Sequence, residues 1–168
     1  FTGLRIAASA VQGLAFSHRL PVVGVSTLAV LAQCAFEDGL VDGSECVLSL
    51  VDARVGDVYC GVYAIAAGIA VQQTAPWVTA PSDLSLPDQG LLHAIGDGLR
   101  YVDDFPRELL GSLLVSDGAV YIMPRARSVI ALARAMYERG EYGAAADVQP
   151  VYVRDEISWK KLAEQGKQ

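Results

Sequence analysis

The sequence has few of the residues that usually bind metals or form disulfides. It contains only two histidines, His18 and His93, and only three cysteines, Cys34, Cys46 and Cys60. The histidines have no H-x-x-x-H or H-E-x-x-H spacing and the cysteines form no C-x-x-C pair, so we predict no metal site and no disulfide framework. The cysteines are expected to be free thiols in a reducing cytoplasm. Both histidines favour structural roles, one at a helix end and the other in an apolar strand.

Local signatures of catalysis are also missing. No G-x-S-x-G elbow is present, and Gly96-Asp97-Gly98 lacks the Lys and Ser/Thr of a phosphate-binding loop. Asp52 and Asp57 bracket a tight connection and could form a carboxylate pair for acid/base chemistry. Turns favour aspartate for its hydrogen bonds to the backbone, which is the simpler interpretation. These residues give no support for nucleophilic catalysis.

The charge balance limits the possible partners. The formal net charge is -6 and the isoelectric point is near 4.8, so the chain as a whole does not attract a polyanion. Contact with RNA would need a local basic patch or a basic partner. Lys160 and Lys161, beside Trp159, are the candidate RNA contact through charge and stacking, and the alternative is a pair of solvated surface lysines.

The apolar content predicts a folded core rather than a membrane segment. Hydrophobic residues make up 52% of the chain and the mean hydropathy is +0.33. The run from Leu20 to Phe36 has no charged residue and approaches the lower limit of a membrane span. Pro21, Gly24 and several polar residues interrupt that run, so we expect no membrane association.

The chain begins without Met and enters a long apolar helix at once. The pattern predicts a helix from Thr2 to about His18. One apolar face of this helix comprises Leu4, Ala8, Val11 and Ala15. An adjacent apolar face comprises Ile6, Ala10 and Leu14. Two apolar faces imply two neighbours. We therefore expect that a preceding segment is missing, and that this helix is covered by another chain or exposes apolar surface.

The rest of the chain alternates strands and helices, which predicts an α/β fold. A strand is expected from Leu20 to Ser26, followed by a helix from Leu28 to Phe36 capped by Ser26 or Thr27. After a glycine-containing linker, an antiparallel meander is predicted. Its strands run from Cys46 to Val51, from Val58 to Ala66 and from Ile69 to about Trp77.

The last third predicts a further strand and a helix. The strand runs from Ala119 to Met123, and the helix begins at Pro124 and closes at Gly140. The expected buried stripe of this helix is Ala126, Val129, Ile130, Ala133, Met136 and Tyr137. The linker at Gly39 and Gly43 separates residues 1–38 from residues 44–150. Residues 151–168 are predicted to form a charged tail.

Several motifs, in order along the chain, resemble the TsaB (YeaZ) family of bacterial tRNA-modification proteins. They are Phe1-Thr2-Gly3-Leu4-Arg5-Ile6, Gln12-Gly13-Leu14-Ala15, Pro21-Val22-Val23-Gly24-Val25-Ser26-Thr27-Leu28, Asp52-Ala53-Arg54-Val55-Gly56-Asp57-Val58-Tyr59, Pro150-Val151-Tyr152-Val153-Arg154 and Trp159-Lys160-Lys161. The resemblance implies two lobes of the actin, Hsp70 and sugar-kinase (ASKHA, ribonuclease H-like) type, each with a mixed sheet. Residues 1–38 would be the remnant of a truncated first lobe, and residues 44–150 the second lobe.

The resemblance also implies a function. Such proteins support formation of threonylcarbamoyladenosine beside the anticodon of tRNAs that read ANN codons. The implied role is a non-catalytic scaffold that binds the catalytic subunit TsaD, which is joined by the ATPase TsaE, so the chain needs no cofactor and its partners use ATP. tRNA would be reached through the complex.

The implied contact with TsaD lies on the first-lobe helices. It places partner-binding residues on the first helix of this chain, at Leu4, Ala8, Val11, Gln12 and Ala15, and the same face could form a homodimer. The alternative is an enzyme of the same fold, either an ATPase or a glycoprotease-like peptidase.

Overall fold

The computed structural model describes residues 2–86 and 90–154. Its helices are α1 (Thr2–His18), α2 (Thr27–Glu37), α3 (Arg107–Leu110) and α4 (Ala126–Glu138). Its strands are β1 (Cys46–Asp52), β2 (Val58–Ala66), β3 (Ile69–Gln72), β4 (Trp77–Thr79), β5 (Leu92–Ile95) and β6 (Leu113–Leu114). Short 3-10 helices are found at Pro81–Asp83, Asp97–Asp104, Ala119–Tyr121 and Ala145–Asp147. The predicted α/β class is confirmed.

The strands form one mixed sheet in the order β3-β2-β1-β5-β6, and β4 also pairs with β2. The meander of β1, β2 and β3 is antiparallel, as predicted, with Leu48 opposite Val62. Strand β5 runs parallel to β1, with Leu48 opposite Ala94, and β6 runs parallel to β5. This arrangement makes β1 the central strand.

Strand β1 is buried on both faces, and α2 covers one of them. Val47, Leu48, Ser49 and Leu50 are all 0% exposed. The Ser49 hydroxyl donates a 2.8 Å hydrogen bond to the Leu28 carbonyl, which joins β1 to α2. Burying that hydroxyl without a partner would be unfavourable.

A buried glutamine fixes the other end of α2 against the sheet. The Gln33 amide donates to the Gly68 carbonyl at 3.0 Å, and its oxygen accepts the Ala70 backbone N–H at 2.9 Å. Gln33 is therefore satisfied although only 2% exposed. These two bonds set the register between α2 and the turn before β3.

Charged residues join α2 to α4, which lies beside it. Arg125, at the N-cap of α4, pairs with Asp38 at 2.7 Å and donates to the Cys34 carbonyl at 3.1 Å. Ser128 donates to Glu37 at 2.7 Å. The cation lies at the C-terminal end of α2 and the carboxylates lie at the N-terminal end of α4, so both helix dipoles are complemented.

Two predicted strands are wrong. The segment from Leu20 to Ser26 forms only one bridge, between Val22 and Gly143, because no further strand lies alongside it among the described residues. The segment from Ala119 to Met123 contains a 3-10 helix, because Gly118 at φ 83° turns the chain there. Strand β6 occurs earlier, where Leu113 pairs with Leu92.

The predicted N-cap and strand boundaries also need correction. Ser26 occupies the N-cap of α2 without a capping side-chain bond, and its hydroxyl lies 3.5 Å from that of Tyr63. The run from Ile69 to Trp77 is divided into β3 and β4, both paired with β2.

The predicted stripe and start of α4 are wrong as well. The helix begins at Ala126 rather than Pro124, and its buried residues are Ser128 and Leu132. Ile130 is 68% exposed. Ser128 faces α2, where its hydroxyl bonds to Glu37 and Cys34, so a polar residue occupies the buried side of this helix. Gly140, at φ 80°, follows the helix end as predicted.

The division between residues 38 and 44 stays a prediction, but α2 and the sheet share one core. Leu31 and Ala35 of α2 belong to the same buried cluster as Leu48 and Val62. The helix predicted to belong to the first lobe therefore packs on strands predicted to belong to the second.

We expect Gly96→Ala to destabilise the fold by more than about 3 kcal/mol, as measured by chemical denaturation. A Cβ at Gly96 would overlap the Leu50 carbonyl oxygen, and φ is +99°. Gly111→Ala is the matched control because Gly111 has φ -69° and no atom within 4 Å of its added Cβ. Equal stability of the two variants would contradict the close approach of Gly96 to β1.

Candidate partner-binding surface

One side of α1 packs against the chain's own C-terminal region. The neighbouring element is the 3-10 helix Ala145–Asp147. Ala15 is only 6% exposed, and Ala8 and Gln12 are half-buried. The Gln12 side chain donates to the Ala146 carbonyl at 3.4 Å. This side has small residues, so the two backbones approach closely.

The other sides of α1 expose large apolar side chains. With 3.6 residues per turn, Ile6, Ala10 and Leu14 lie on the side away from Ala145–Asp147. Ile6 is 65% exposed and Leu14 is 66% exposed. A continuous apolar helix face of this kind marks an interaction surface in soluble proteins. In this chain the apolar surface of the helix is exposed, and its cover by another chain stays a prediction.

The structure divides the five predicted partner-binding residues. Gln12 contacts Ala146 of the chain itself, and Ala8 and Ala15 lie on the same, less exposed side of α1. Leu4, 53% exposed, and Val11, 44% exposed, lie at the edge of that contact. A partner could touch Ala15 only by displacing the C-terminal region. The sequence pattern identified the face of Ile6 and Leu14, but we did not predict that it would be the more open one.

Asp52 and Asp57, the candidate carboxylate pair, each bind a different arginine. Asp52 lies 3.2 Å from Arg100 and its side chain is only 7% exposed. It also accepts the backbone N–H of Arg54 at 2.8 Å. Asp57 pairs with Arg154 at 2.5 Å. Both carboxylates thus serve the turn and its neighbours, which favours the structural interpretation.

The loop Gly96-Asp97-Gly98 packs closely on the end of β1. An added Cβ at Gly98 would lie 2.9 Å from the Leu50 Cβ. The Asp97 carboxylate accepts the backbone N–H of Asp52 at 2.9 Å. The glycines are therefore needed because this loop contacts the end of β1 closely. The aspartate is needed because its carboxylate accepts a backbone N–H of that strand.

The two histidines have the structural roles expected of them. His18 Nδ1 lies 3.0 Å from the Leu14 carbonyl, at the end of α1. His93 of β5 lies 2.7 Å from Glu45. Within residues 2–86 and 90–154, no three His, Cys, Asp or Glu side chains form a group that could hold a metal ion. In the same residues, no helix has the length and apolarity needed to cross a membrane.

Burial keeps Cys60, in the core, in the thiol form. Cys60 is 0% exposed, and burial raises its pKa to about 12. Cys34 is also buried and its thiol donates to the Ser128 hydroxyl at 3.2 Å. The thiolate is the nucleophilic form, so Cys60 is a poor nucleophile at neutral pH.

Lys160 and Lys161, the candidate RNA contact, lie outside the described residues. The same is true of most of the predicted tail, residues 151–168, whose described part ends at Arg154. The RNA contact stays a prediction.

Comparison with known proteins identifies the class of this domain. Residues 1–118 match the family model for TsaD, tRNA N6-adenosine threonylcarbamoyltransferase. Together with the mixed sheet, this match defines a domain of the actin-like (ASKHA) type.

Individual relatives identify the family more closely. The chain is 34% identical over 166 residues to the tRNA threonylcarbamoyladenosine biosynthesis protein TsaB of Escherichia coli (strain K12), covering 96% of this chain and 69% of the relative. It is 30% identical over 171 residues to TsaB of Haemophilus influenzae, with the same coverage of each chain. The chain belongs to the TsaB (YeaZ) family and spans about two thirds of the length of these relatives.

Solved structures agree with this assignment. YeaZ from Pseudomonas aeruginosa superposes with a TM-score of 0.79 at 34% identity, covering 90% of this chain and 68% of that one. A second structure, titled as an uncharacterized protein with similarity to peptidase YeaZ from the same organism, gives a TM-score of 0.78 at 35% identity. It covers 92% of this chain and 68% of that one.

We expect iodoacetamide at pH 8 to alkylate Cys46 first and Cys60 at least about 100-fold more slowly, as followed by mass spectrometry. Cys46 is only partly buried, whereas Cys60 combines full burial with a raised pKa. All three thiols should react at similar rates in denaturant. Rapid native labelling of Cys60 would contradict its placement in the core.

Proposed function

We propose that this chain acts in tRNA threonylcarbamoyladenosine biosynthesis as a non-catalytic subunit that binds a TsaD-like catalytic subunit. The main observation in support of this proposal is the exposed apolar face of α1, on which Ile6 is 65% exposed and Leu14 is 66% exposed. In this proposal a TsaE-like ATPase joins the pair in the cytoplasm. The chain itself uses no cofactor, and its partners use ATP.

The surroundings of the candidate catalytic residues support a non-catalytic role. Asp52 is paired with Arg100, and Asp57 with Arg154, so neither carboxylate is poised as a free base. Cys60 is buried with a raised pKa. Nothing among the described residues specifically favours the alternative of an ATPase or a glycoprotease-like peptidase.

The exposed surface of α1 has two candidate neighbours. The chain spans about two thirds of the length of its relatives, so residues corresponding to the rest of a relative are one candidate neighbour. The partner subunit is the other. Burying about 400 Å² of apolar surface on one face would contribute on the order of 10 kcal/mol before association costs. The same face could form a homodimer when the partner is absent.

The charge of the chain supports recruitment of tRNA through the complex. A net charge of -6 gives no overall attraction to a polyanion. Within the described residues, Arg125, Arg134 and Arg139 are all engaged by carboxylates. We therefore assign the main electrostatic contact with tRNA to the partners.

We expect Ile6→Glu and Val11→Glu each to weaken binding of a TsaD-like subunit by tenfold or more, because a charge on an apolar interface is desolvated without a partner. Titration calorimetry would measure the affinity. The two substitutions report on different faces of α1, so a loss confined to one variant would identify the face that the partner uses.

The matched control for this experiment is Ile130→Glu. Ile130 is 68% exposed on α4, close to the 65% of Ile6 on α1. If only Ile130→Glu weakened binding, or if neither α1 variant did, the α1 interface would be refuted. Sedimentation of the unaltered chain and of both α1 variants would test the homodimer.

We expect the chain alone to show no turnover of ATP or of peptide substrates above a buffer control. Phosphate release and cleavage of a labelled casein mixture would measure the two activities. Addition of the TsaD-like and TsaE-like subunits provides the positive control for ATP use. Robust turnover by the isolated chain would refute the non-catalytic role and support the alternative.

A further inference from the structure

The described residues after α4 form a continuous connection across the molecule, which we call the C-terminal strap, residues 143–154. It begins at Gly143, which exchanges two 2.9 Å backbone hydrogen bonds with Val22. It continues along α1, where Tyr152 accepts a 2.9 Å hydrogen bond from Arg5. It ends at the turn before β2, where Arg154 binds Asp57.

The strap is the main contact of α1 with the rest of the described chain. The packing of Ala145–Asp147 buries Ala15, and the hydrogen bond from Gln12 to Ala146 is long at 3.4 Å. Arg5 lies over the Tyr152 ring at 5.7 Å, but this contact is exposed. Small, exposed contacts of this kind hold a helix weakly unless the segment that makes them is itself fixed.

The pair between Arg154 and Asp57 supplies that fixed end. Its side chains are 17% and 35% exposed, compared with 78% and 61% for the surface pair between Arg134 and Glu138. Shielding from water strengthens a charge-assisted hydrogen bond. Of these two ion pairs, the one at the strap end is therefore the stronger constraint.

The turn that carries Asp57 has an unusual backbone conformation. Arg54 and Val55 have positive φ values of 63° and 58°, which is unfavourable for an arginine and more so for a β-branched residue. A 2.9 Å hydrogen bond from the Ala53 N–H to the Asp57 carbonyl closes the turn. This strained conformation needs support from its surroundings and holds the Asp57 carboxylate in place.

We propose that Arg154 and Asp57 are a positioning pair that fastens the strap and thereby holds α1 at a fixed orientation on the sheet domain. The inference rests on the proposed function only in that α1 is the partner-binding helix. The pair lies at the end of the strap, two residues after Tyr152, which accepts the hydrogen bond from Arg5 of α1. Its loss should release α1 while leaving the sheet intact.

Amide hydrogen exchange on the full 168-residue chain tests this inference. We expect Asp57→Asn and Arg154→Gln each to accelerate exchange of the α1 amides of residues 8–16 about five- to tenfold, with β1 amides unchanged. Glu138→Gln is the control because it breaks an exposed arginine pair elsewhere. The charge swap Asp57→Arg with Arg154→Asp should restore part of the protection.

Three results would overturn the positioning role. They are unprotected α1 amides in the unaltered chain, unchanged α1 exchange in both single variants, and equal acceleration in Glu138→Gln.

Affinity for the TsaD-like subunit is measured separately. If exchange responds as expected but the partner does not bind the unaltered chain, the proposed function is refuted and the positioning role of the pair is supported. If the partner binds but α1 exchange is unaffected by either variant, only the strap fails.

Discussion

The complete burial of strand β1 is the constraint on which the rest of the structure depends. Residues 47–50 are 0% exposed, so both edges of the strand must be paired and both faces covered. Strand β2 completes one edge in antiparallel fashion, and β5 completes the other in parallel. The parallel pairing brings the ends of β1 and β5 together, so Gly96 and Gly98 can carry no side chain there.

The two long N-terminal helices differ because only one of them belongs to this core. Helix α2 contributes seven buried residues and is joined to the sheet by buried hydrogen bonds of Ser49 and Gln33. Helix α1 has one buried residue, Ala15, although its sequence is comparably apolar. An apolar helix that the core does not cover is available to other neighbours, and this difference is the physical basis of the proposed interface.

Local sequence patterns predicted the elements whose burial follows a regular period. The bounds of α1 and β2 match the apolar pattern, and β1 extends one residue further, to Asp52. The failures have tertiary causes. The segment around Val22 forms a single bridge, and α4 buries Ser128, which bonds to Glu37, in place of most of its apolar stripe. The closure of α1 by residues 145–147 depends on a contact more than 120 residues away in sequence, which no local pattern contains.

The charged side chains near the strand ends are paired within the chain itself. The described carboxylates near the strand ends are occupied by Arg100 and Arg154 or by backbone donors, so they stabilise the turns that carry them. Its open surface on α1 is apolar and suits protein contact better than chemistry. If α1 binds the partner as proposed, its orientation relative to the sheet domain matters, and the turn at Asp57, closed by a backbone hydrogen bond, supports that orientation through Arg154.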